Sequence, residues 1–389
     1  MKDSTGAIRI QPTKSKFREH SSPIFMTSSF QYSSAEEAAE YFSGNKQGDI
    51  YSRFSNPNTT ELIEKMCFLE KLPAGVATSS GMATIFATLC SQLKSGDQVV
   101  ASSSLFGNTL YILKNILPEW GIKCKLVEIT NDSAWEEAIS QKPKLVLVET
   151  PTNPGLDLID LEWLSGLCRK YESILAVDNS FATPAVQKPA LFGADLVIHS
   201  ATKFIDGQGR VLGGIVLGNQ ELIDPIYNFL RRTGACLSPF NAWILSKSLE
   251  TLDVRMERHC SNAFALAKFL KDHPRVKTVS YPFLENHQDH LLAKKQMKWG
   301  GGIVCCDLKG DKEEAFKFIN GLSFLSITAN LGDTRTIVTH PATTTHSKLS
   351  VNEKIKCNIT DSTLRISVGL ESIDDVIGDI STSFKKLDI

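Results

Sequence analysis

No stretch of the sequence approaches the roughly 20 consecutive apolar residues that a bilayer-spanning helix requires. The opening residues, MKDSTGAIRIQPTKSK, also lack the apolar core of a secretory signal, so a cytoplasmic protein is expected. Excess charge is equally scarce: 42 Lys and Arg face 43 Asp and Glu, a formal net charge of −1. Nucleic acid or an anionic membrane would need a concentrated basic surface, and neither partner is expected. The nine cysteines include no Cys-x-x-Cys pair, and Cys305 and Cys306 are adjacent. That spacing fits neither a zinc ribbon nor a disulfide framework and leaves small buried hydrophobes as the expectation. His287 and His290 have an i, i+3 metal-ligand spacing, but ENHQDH is polar and reads as a solvated loop, so no metal is expected. His340 and His346, on either side of ATTT, read as structural. Internal repeats and low-complexity tracts are absent.

What is present is the composition of a globular protein, 42% hydrophobic and 22% charged, in a chain of 389 residues that exceeds one ordinary core. Residues 1–50 are polar with little sustained period and read as an extended arm that packs on a neighbouring subunit. From residue 75 the runs VATSS, QVVAS, KCKLVEI, PKLVLVET, SILAVDNS, ADLVIHS and GGIVLG alternate with amphipathic stretches. Near-continuous Val, Ile and Leu strands separated by helices indicate an α/β fold with a mostly parallel sheet covered on both faces, here assigned to residues 51–245. After about residue 240 a long helical pattern, NAWILSKSLETLDVRMERHCSNAFALAKFLKDH, leads into strand candidates VKTVSY, GGIVCCDL and TLRISVGL and a final amphipathic helix. Residues 246–389 therefore read as a smaller α+β C-terminal domain.

Chemistry concentrates at the ends of the apolar runs. Lys203 follows ADLVIHS directly, in HSATKF. A desolvated lysine amine can form a Schiff base with a carbonyl, although an ion-paired loop lysine is the commoner outcome for such a residue taken alone. Asp178 ends SILAVD, at the strand end where open α/β sheets collect ligands; a turn or helix cap is its ordinary use. SSGMAT, residues 79 to 84, passes from a strand to a helix through small residues. Its backbone N–H groups make an anion site, with Ser200 and Thr202 as further donors, but without a Walker lysine or the full dinucleotide glycine pattern the signal is weak. Tyr51 and Arg53 precede another helix, and arginine suits bidentate phosphate recognition. A lysine amine, a carboxylate and a phosphate cradle are together what pyridoxal 5'-phosphate (PLP) requires. A non-catalytic phosphate- or nucleotide-binding module is the alternative of a different class, and it has no need of Lys203 with Asp178.

The chain resembles the PLP-dependent enzymes of cysteine and methionine metabolism. The resemblance runs through YSRFSNPN, SSGMAT, VETPTNPGLDLIDL, VDNSFATP, HSATKF, THPATTTHS and LRISVGLE. It implies a fold-type-I PLP-dependent transferase with a seven-stranded sheet, working as a homotetramer of dimers that share active sites. Lys203 would join the cofactor and shuttle protons, Asp178 would hold the pyridine nitrogen, and Gly81, Met82, Ser200 and Thr202 would hold the phosphate. Tyr51 and Arg53 would reach that phosphate from a neighbouring subunit. Asn153 would meet the ring oxygen, Arg365 would clamp the substrate α-carboxylate, and Ser326 would support that clamp. Phe106, in LFGNT, stands where many relatives have tyrosine, keeping a stacking face without the phenol. DGQGRVLGG after the lysine, and RRTGACLSPFNAWILSKSLETLDVRM, resemble the branch that replaces the γ-substituent of O-succinyl-L-homoserine with sulfide to give L-homocysteine in methionine biosynthesis. Arg210 in that loop either attracts an acidic substrate or is structural. Cystathionine γ-synthesis and methionine γ-elimination are the alternatives within the family.

Overall fold

The computed structural model describes residues 1–12 and 14–387. Each of the seven apolar runs forms a strand: β1 (Ala74–Thr78), β2 (Gln98–Ser102), β3 (Lys123–Val127), β4 (Leu145–Glu149), β5 (Ile174–Asp178), β6 (Leu196–Ser200) and β7 (Gly214–Gly218). They make one sheet of order β1-β7-β6-β5-β4-β2-β3. Strands β3, β2, β4, β5 and β6 pair in parallel. β7 runs antiparallel to both its neighbours, β1 and β6. Residues 201–213, which join β6 to β7, contain turns and no helix; without a crossover helix the chain can only return antiparallel.

Both faces of this sheet are apolar because side chains alternate along each strand. Val99, Ala101, Leu145 and Leu147 enter one core, while Val100, Val146 and Val148 enter the other. At about 1.5–3 kcal/mol for each fully buried Val or Leu, the sheet position is strongly set, and a one-residue slip would exchange the two faces. Two antiparallel steps give β1 the direction of β6, so the carboxyl ends of β1, β4, β5 and β6 share one edge. Glu149 and Asp178 are direct neighbours across that edge.

A second sheet has the order β10-β11-β12-β9-β8. It comprises β8 (Val276–Ser280), β9 (Ile303–Leu308), β10 (Ser326–Ile327), β11 (Ile337–Thr339) and β12 (Thr363–Ser367). Its inner face packs with helices Leu252–Lys271, Lys312–Gly321 and Ile373–Lys386 around Leu266, Val304, Phe318, Leu364, Ile380 and Phe384. The long helical pattern is two helices, Pro239–Leu249 and Leu252–Lys271, interrupted at Glu250 and Thr251.

The first 50 residues depart from an extended arm in two places. Helix Asp3–Arg9 packs beneath helix Pro57–Glu70, and Asp3 pairs with Lys71 and Lys188. Helix Ala35–Ser43 begins at Ser34, whose hydroxyl accepts the Glu37 N–H, and ends at Gly44 with φ 83°. Its Ala and Glu residues favour helix in a segment too polar to advertise one, and none of its side chains is buried. All nine cysteines are free thiols, five of them buried. Among the described residues no helix is long and apolar enough to cross a membrane.

Candidate active site

A cavity of about 600 Å³ lies at the carboxyl edge of the first sheet and is closed on one side by the second. Its walls bring together Gly81, Met82, Phe106, Asn153, Asp178, Ser200, Thr202, Lys203 and Arg365, residues widely separated in the sequence.

Helix Gly81–Gln92 starts at the cavity. The Ser80 hydroxyl accepts the Ala83 N–H at 3.1 Å, and the Ser80 carbonyl accepts that of Thr84. Gly81 and Met82 keep their N–H groups free among the described residues, and the helix dipole favours an anion there. A β-carbon on Gly81 would come within 2.6 Å of Ser200 Cβ and 3.0 Å of its Cα, so glycine alone lets the helix start touch the end of β6. The Thr202 hydroxyl donates to Gly213 O at 3.2 Å and accepts the Gly213 N–H at 3.1 Å, so its one proton is already engaged. Ser200 Oγ carries no protein bond among the described residues and is the freer donor.

Asp178 is anchored through one oxygen. Ser180 N–H and Oγ both donate to Oδ1, at 3.0 and 2.6 Å. Oδ2 is left without a protein partner among the described residues. Burial pushes the Asp178 carboxyl above its usual range, while the Ser180 bonds and His199 draw it back down. Although enclosed deep in the fold, Asp178 keeps an accessible face toward the cavity it lines. Beside it stands Glu149, a carboxylate that the sequence motifs do not single out. Burial first, then the charge of Asp178, raises the Glu149 carboxyl well above its ordinary value, against the pull of N–H groups from Phe106 and Asn153. Glu149 Oε2 accepts the Phe106 N–H at 3.0 Å. Two adjacent buried carboxylates do not both ionise readily, and each has two donors that favour its charged form, Ser180 N–H and Oγ for Asp178 and the Phe106 and Asn153 N–H groups for Glu149.

Lys203 Nζ donates to Asn330 Oδ1 at 2.8 Å. Burial, reinforced by Arg365, lowers its pKa from 10.5 to about 8. The loop carrying Asn330 can lie this close because Gly332, at φ 77°, presents no β-carbon; one would come within 2.5 Å of Phe204 N. Arg365 projects from the middle of β12, opposite Cys305 and Thr339, and is 1% exposed. Its guanidinium donates to Asn153 Oδ1 at 3.0 Å and to the Asn330 and Ala329 carbonyls at 3.1 and 3.3 Å. Nε has no protein partner among the described residues. Burial lowers its pKa to about 10, partly offset by Cys305 and Glu149. No carboxylate lies within ion-pair distance among the described residues, so this buried cation could take an anionic ligand as its partner. His346 is buried close by and falls to about 4, by burial first and then by Arg365, which keeps it neutral.

Three expected residues lie elsewhere. Tyr51 and Arg53 are outside the cavity of their own chain: Arg53 donates to Arg231 O and stacks over Phe54 and Tyr51 at 4.9 and 5.4 Å. Ser326 sits on β10, where its N–H bonds Thr336 O at 3.0 Å; Asn330, four residues on, is the residue that meets both Lys203 and Arg365. Arg210 is engaged by Asp206 at 3.1 Å and by Ser248 Oγ, which makes it part of the loop's own framework. Glu149 could have been found by the rule that found Asp178, a carboxylate ending an apolar run. Asn330 has no such signal.

The residues present suit PLP. The cavity offers two free N–H groups and a hydroxyl at a helix start, an unpaired carboxylate oxygen, a weakly basic amine and an aromatic face at Phe106. The Cys/Met metabolism PLP-dependent enzyme model matches residues 4–385. The chain is 42% identical to O-succinylhomoserine sulfhydrylase of Pseudomonas aeruginosa over 383 residues, 98% of this chain and 95% of that one. It is 41% identical to L-methionine gamma-lyase of Fusobacterium nucleatum subsp. polymorphum over 386 residues, 98% of each. Among solved structures, a putative O-acetylhomoserine (thiol)-lyase from Campylobacter jejuni superposes with a TM-score of 0.95 at 32% identity, over 99% of this chain and 100% of that one, and contains N'-pyridoxyl-lysine-5'-monophosphate. Cystathionine gamma synthase of Xanthomonas oryzae pv. oryzae, in complex with cystathionine, gives 0.94 at 32% identity, over 100% of this chain and 99% of that one. The chain therefore belongs to the Cys/Met metabolism PLP-dependent enzymes, and pyridoxal 5'-phosphate is its cofactor.

Proposed function

We propose that the enzyme replaces the γ-substituent of an O-acylated homoserine, O-succinyl-L-homoserine in the favoured reading, with sulfide, releasing succinate and L-homocysteine. The observation that carries the site's chemistry is the Lys203 amine, shifted to about 8 and held by Asn330, which also accepts from Arg365. Bound PLP supplies an electron sink for charge that develops on the substrate carbons. Asp178, through its unpartnered Oδ2, would hold the ring nitrogen and favour its protonated form. Gly81 and Met82 N–H and the Ser200 hydroxyl would hold the phosphate, Thr202 would donate there only by turning its proton away from Gly213 O, and Asn153 would meet the ring oxygen. Arg365 binds the α-carboxylate, which directs the α-proton toward Lys203 Nζ. Lys203 takes that proton and returns a proton to carbon later in the cycle. Its pKa lies near working pH, where general base and general acid roles are both accessible. Phe106 would give the ring a face and no hydroxyl, which leaves the transfers to Lys203.

Tyr51 and Arg53 complete the phosphate site of a neighbouring copy in this proposal, within a homotetramer built from dimers that share sites. Mixing an Arg53→Ala chain with a Lys203→Ala chain tests it. Recovery of activity from two inactive parents supports sharing; none, in confirmed hybrids, removes it.

The near-equal identity to L-methionine gamma-lyase supports a second reading, γ-elimination from methionine. Product analysis separates the possibilities, using O-succinyl- and O-acetyl-L-homoserine, each with sulfide or cysteine, and L-methionine alone. Homocysteine from the succinyl donor and sulfide sustains the proposal. Preference for cysteine replaces it with cystathionine synthesis, and methionine breakdown without acyl-donor turnover replaces it with the lyase.

A further inference from the structure

Side chains alternate across a strand, so each cavity residue at the sheet edge has a neighbour facing away from the cavity. Behind Glu149, Asp178 and Ser200 stand Thr150, Asn179 and His199. These back-facing residues are joined to one another. Glu70, the last residue of helix Pro57–Glu70, accepts the Asn179 side-chain amide on Oε1 at 3.0 Å, and the same oxygen lies 2.7 Å from His199 Nε2. Asn179 exchanges bonds with Gln187, its Nδ2 donating to Gln187 O at 2.9 Å and its Oδ1 accepting from Gln187 Nε2 at 3.1 Å. Gln187 Nε2 also reaches Thr150 O at 2.9 Å. Glu70, Thr150, Asn179 and His199 are 0% exposed and Gln187 1%.

None of these groups lines the cavity, and the proposed reaction uses none of them. A carboxyl group withdrawn this far from water is costly unless its partners are fixed, and here the partners are the ends of two strands. Among the described residues Oε2 of Glu70 and Nδ1 of His199 have no protein partner, so the connection runs through one oxygen. On the cavity side Ser180 ties the same strand ends: its hydroxyl donates to Asp178 and accepts the Ser200 N–H at 2.6 Å.

We propose that Glu70 is a positioning residue of the active site: through Asn179 and His199 it locks the ends of β5 and β6 from behind the sheet. This sets Asp178 and Ser200 at the spacing that the cofactor's ring nitrogen and phosphate require. The inference rests on the assignment of Asp178 to the ring nitrogen.

The test is a double-mutant cycle on the full-length enzyme: parent, Glu70→Ala, Asp178→Ala and the double variant. The readouts are the PLP dissociation constant, from visible absorbance at equilibrium with graded free cofactor, and the thermal midpoint of each cofactor-free protein. Glu70→Ala is expected to weaken PLP binding about tenfold in the parent and about threefold or less once Asp178 is gone, because residues joined through one hydrogen-bond network couple. Glu70→Gln, which keeps an oxygen for both donors, recovers most of the affinity. Equal losses in both backgrounds mean a role in stability alone and overturn the inference, as does parental affinity in Glu70→Ala. Should Glu70→Ala fail to fold, His199→Ala takes its place in the cycle with the same expectations. An Asp178→Ala enzyme with unchanged affinity and spectrum would instead remove the ring-nitrogen assignment itself.

Discussion

The two sheets serve the cavity in opposite ways. The first delivers its functional groups where strands stop: Glu149, Asp178 and Ser200 are terminal residues, and Lys203 and the helix start at Gly81 lie just beyond strand ends. The second delivers Arg365 from the middle of a strand, with all five positions of β12 buried. A strand end frees backbone N–H groups and lets polar side chains turn toward a ligand. A mid-strand position spends its backbone on the ladder and exposes only one face, so a cation there must be desolvated and aimed by its neighbours. The first arrangement suits proton transfer and anion binding; the second suits a rigid clamp.

Substitutions should therefore break the two sheets' contributions differently. Lys203→Ala should lower kcat by at least roughly 10³-fold with excess cofactor while circular dichroism stays native, since it removes the transferring amine. On the proposed assignment of Asp178 to the ring nitrogen, Asp178→Asn should cost about 10²-fold or more in kcat, as a charge at that position is lost. Across the cavity, Arg365→Lys should act on substrate capture, raising KM by about 10–100-fold with a smaller change in kcat, because a bidentate, charge-assisted contact is lost. Comparable kcat losses from both sheets, with KM unchanged, would erase the distinction drawn above.

A subtler test concerns charge. Lys203 has a folded pKa of about 8 against an ordinary 10.5, so the unfolded chain binds more protons between those values and stability should rise with pH across that window. Below about pH 8 the penalty is fully present. Cofactor-free Lys203→Met should then be more stable than its parent at about pH 7 by on the order of 1–3 kcal/mol, with the gap closing above about pH 10. Chemical unfolding at the two pH values measures it. The smallest effect is expected at Ser326, where alanine should leave kcat/KM within about twofold, as for a site outside the cavity.

The same contrast decides what the sequence could reveal. All seven strands of the first sheet were readable because each run ends abruptly at Gly, Ser, Asn or a charge; the inner strands, such as β4, are apolar and buried throughout, while the edge strand β3 is partly exposed. Lys203 and Asp178 stood out against those runs, and Glu149 obeys the same rule. In the second sheet β8, β9 and β12 were readable, but β10 and β11 span only two and three residues and carry no period. Arg365 lies inside an ordinary strand pattern, so its role came from resemblance alone. Asn330 is a loop residue whose importance arises from where Gly332 lets the chain run. The polar links behind the sheet tie Glu70 to Asn179 and His199, partners more than a hundred positions away, and leave no local trace.

Gly81 has a consequence for how this enzyme can change over time. The obstacle to any side chain there is the Cβ and Cα of Ser200, at 2.6 and 3.0 Å, rather than the serine hydroxyl alone. Trimming residue 200 to alanine would not make room, and glycine there would remove a hydroxyl that faces the cavity while its backbone stayed in the way. Any side chain at position 81 thus requires the end of β6 to move, and even a glycine at 200 would leave a 3.0 Å contact with its Cα.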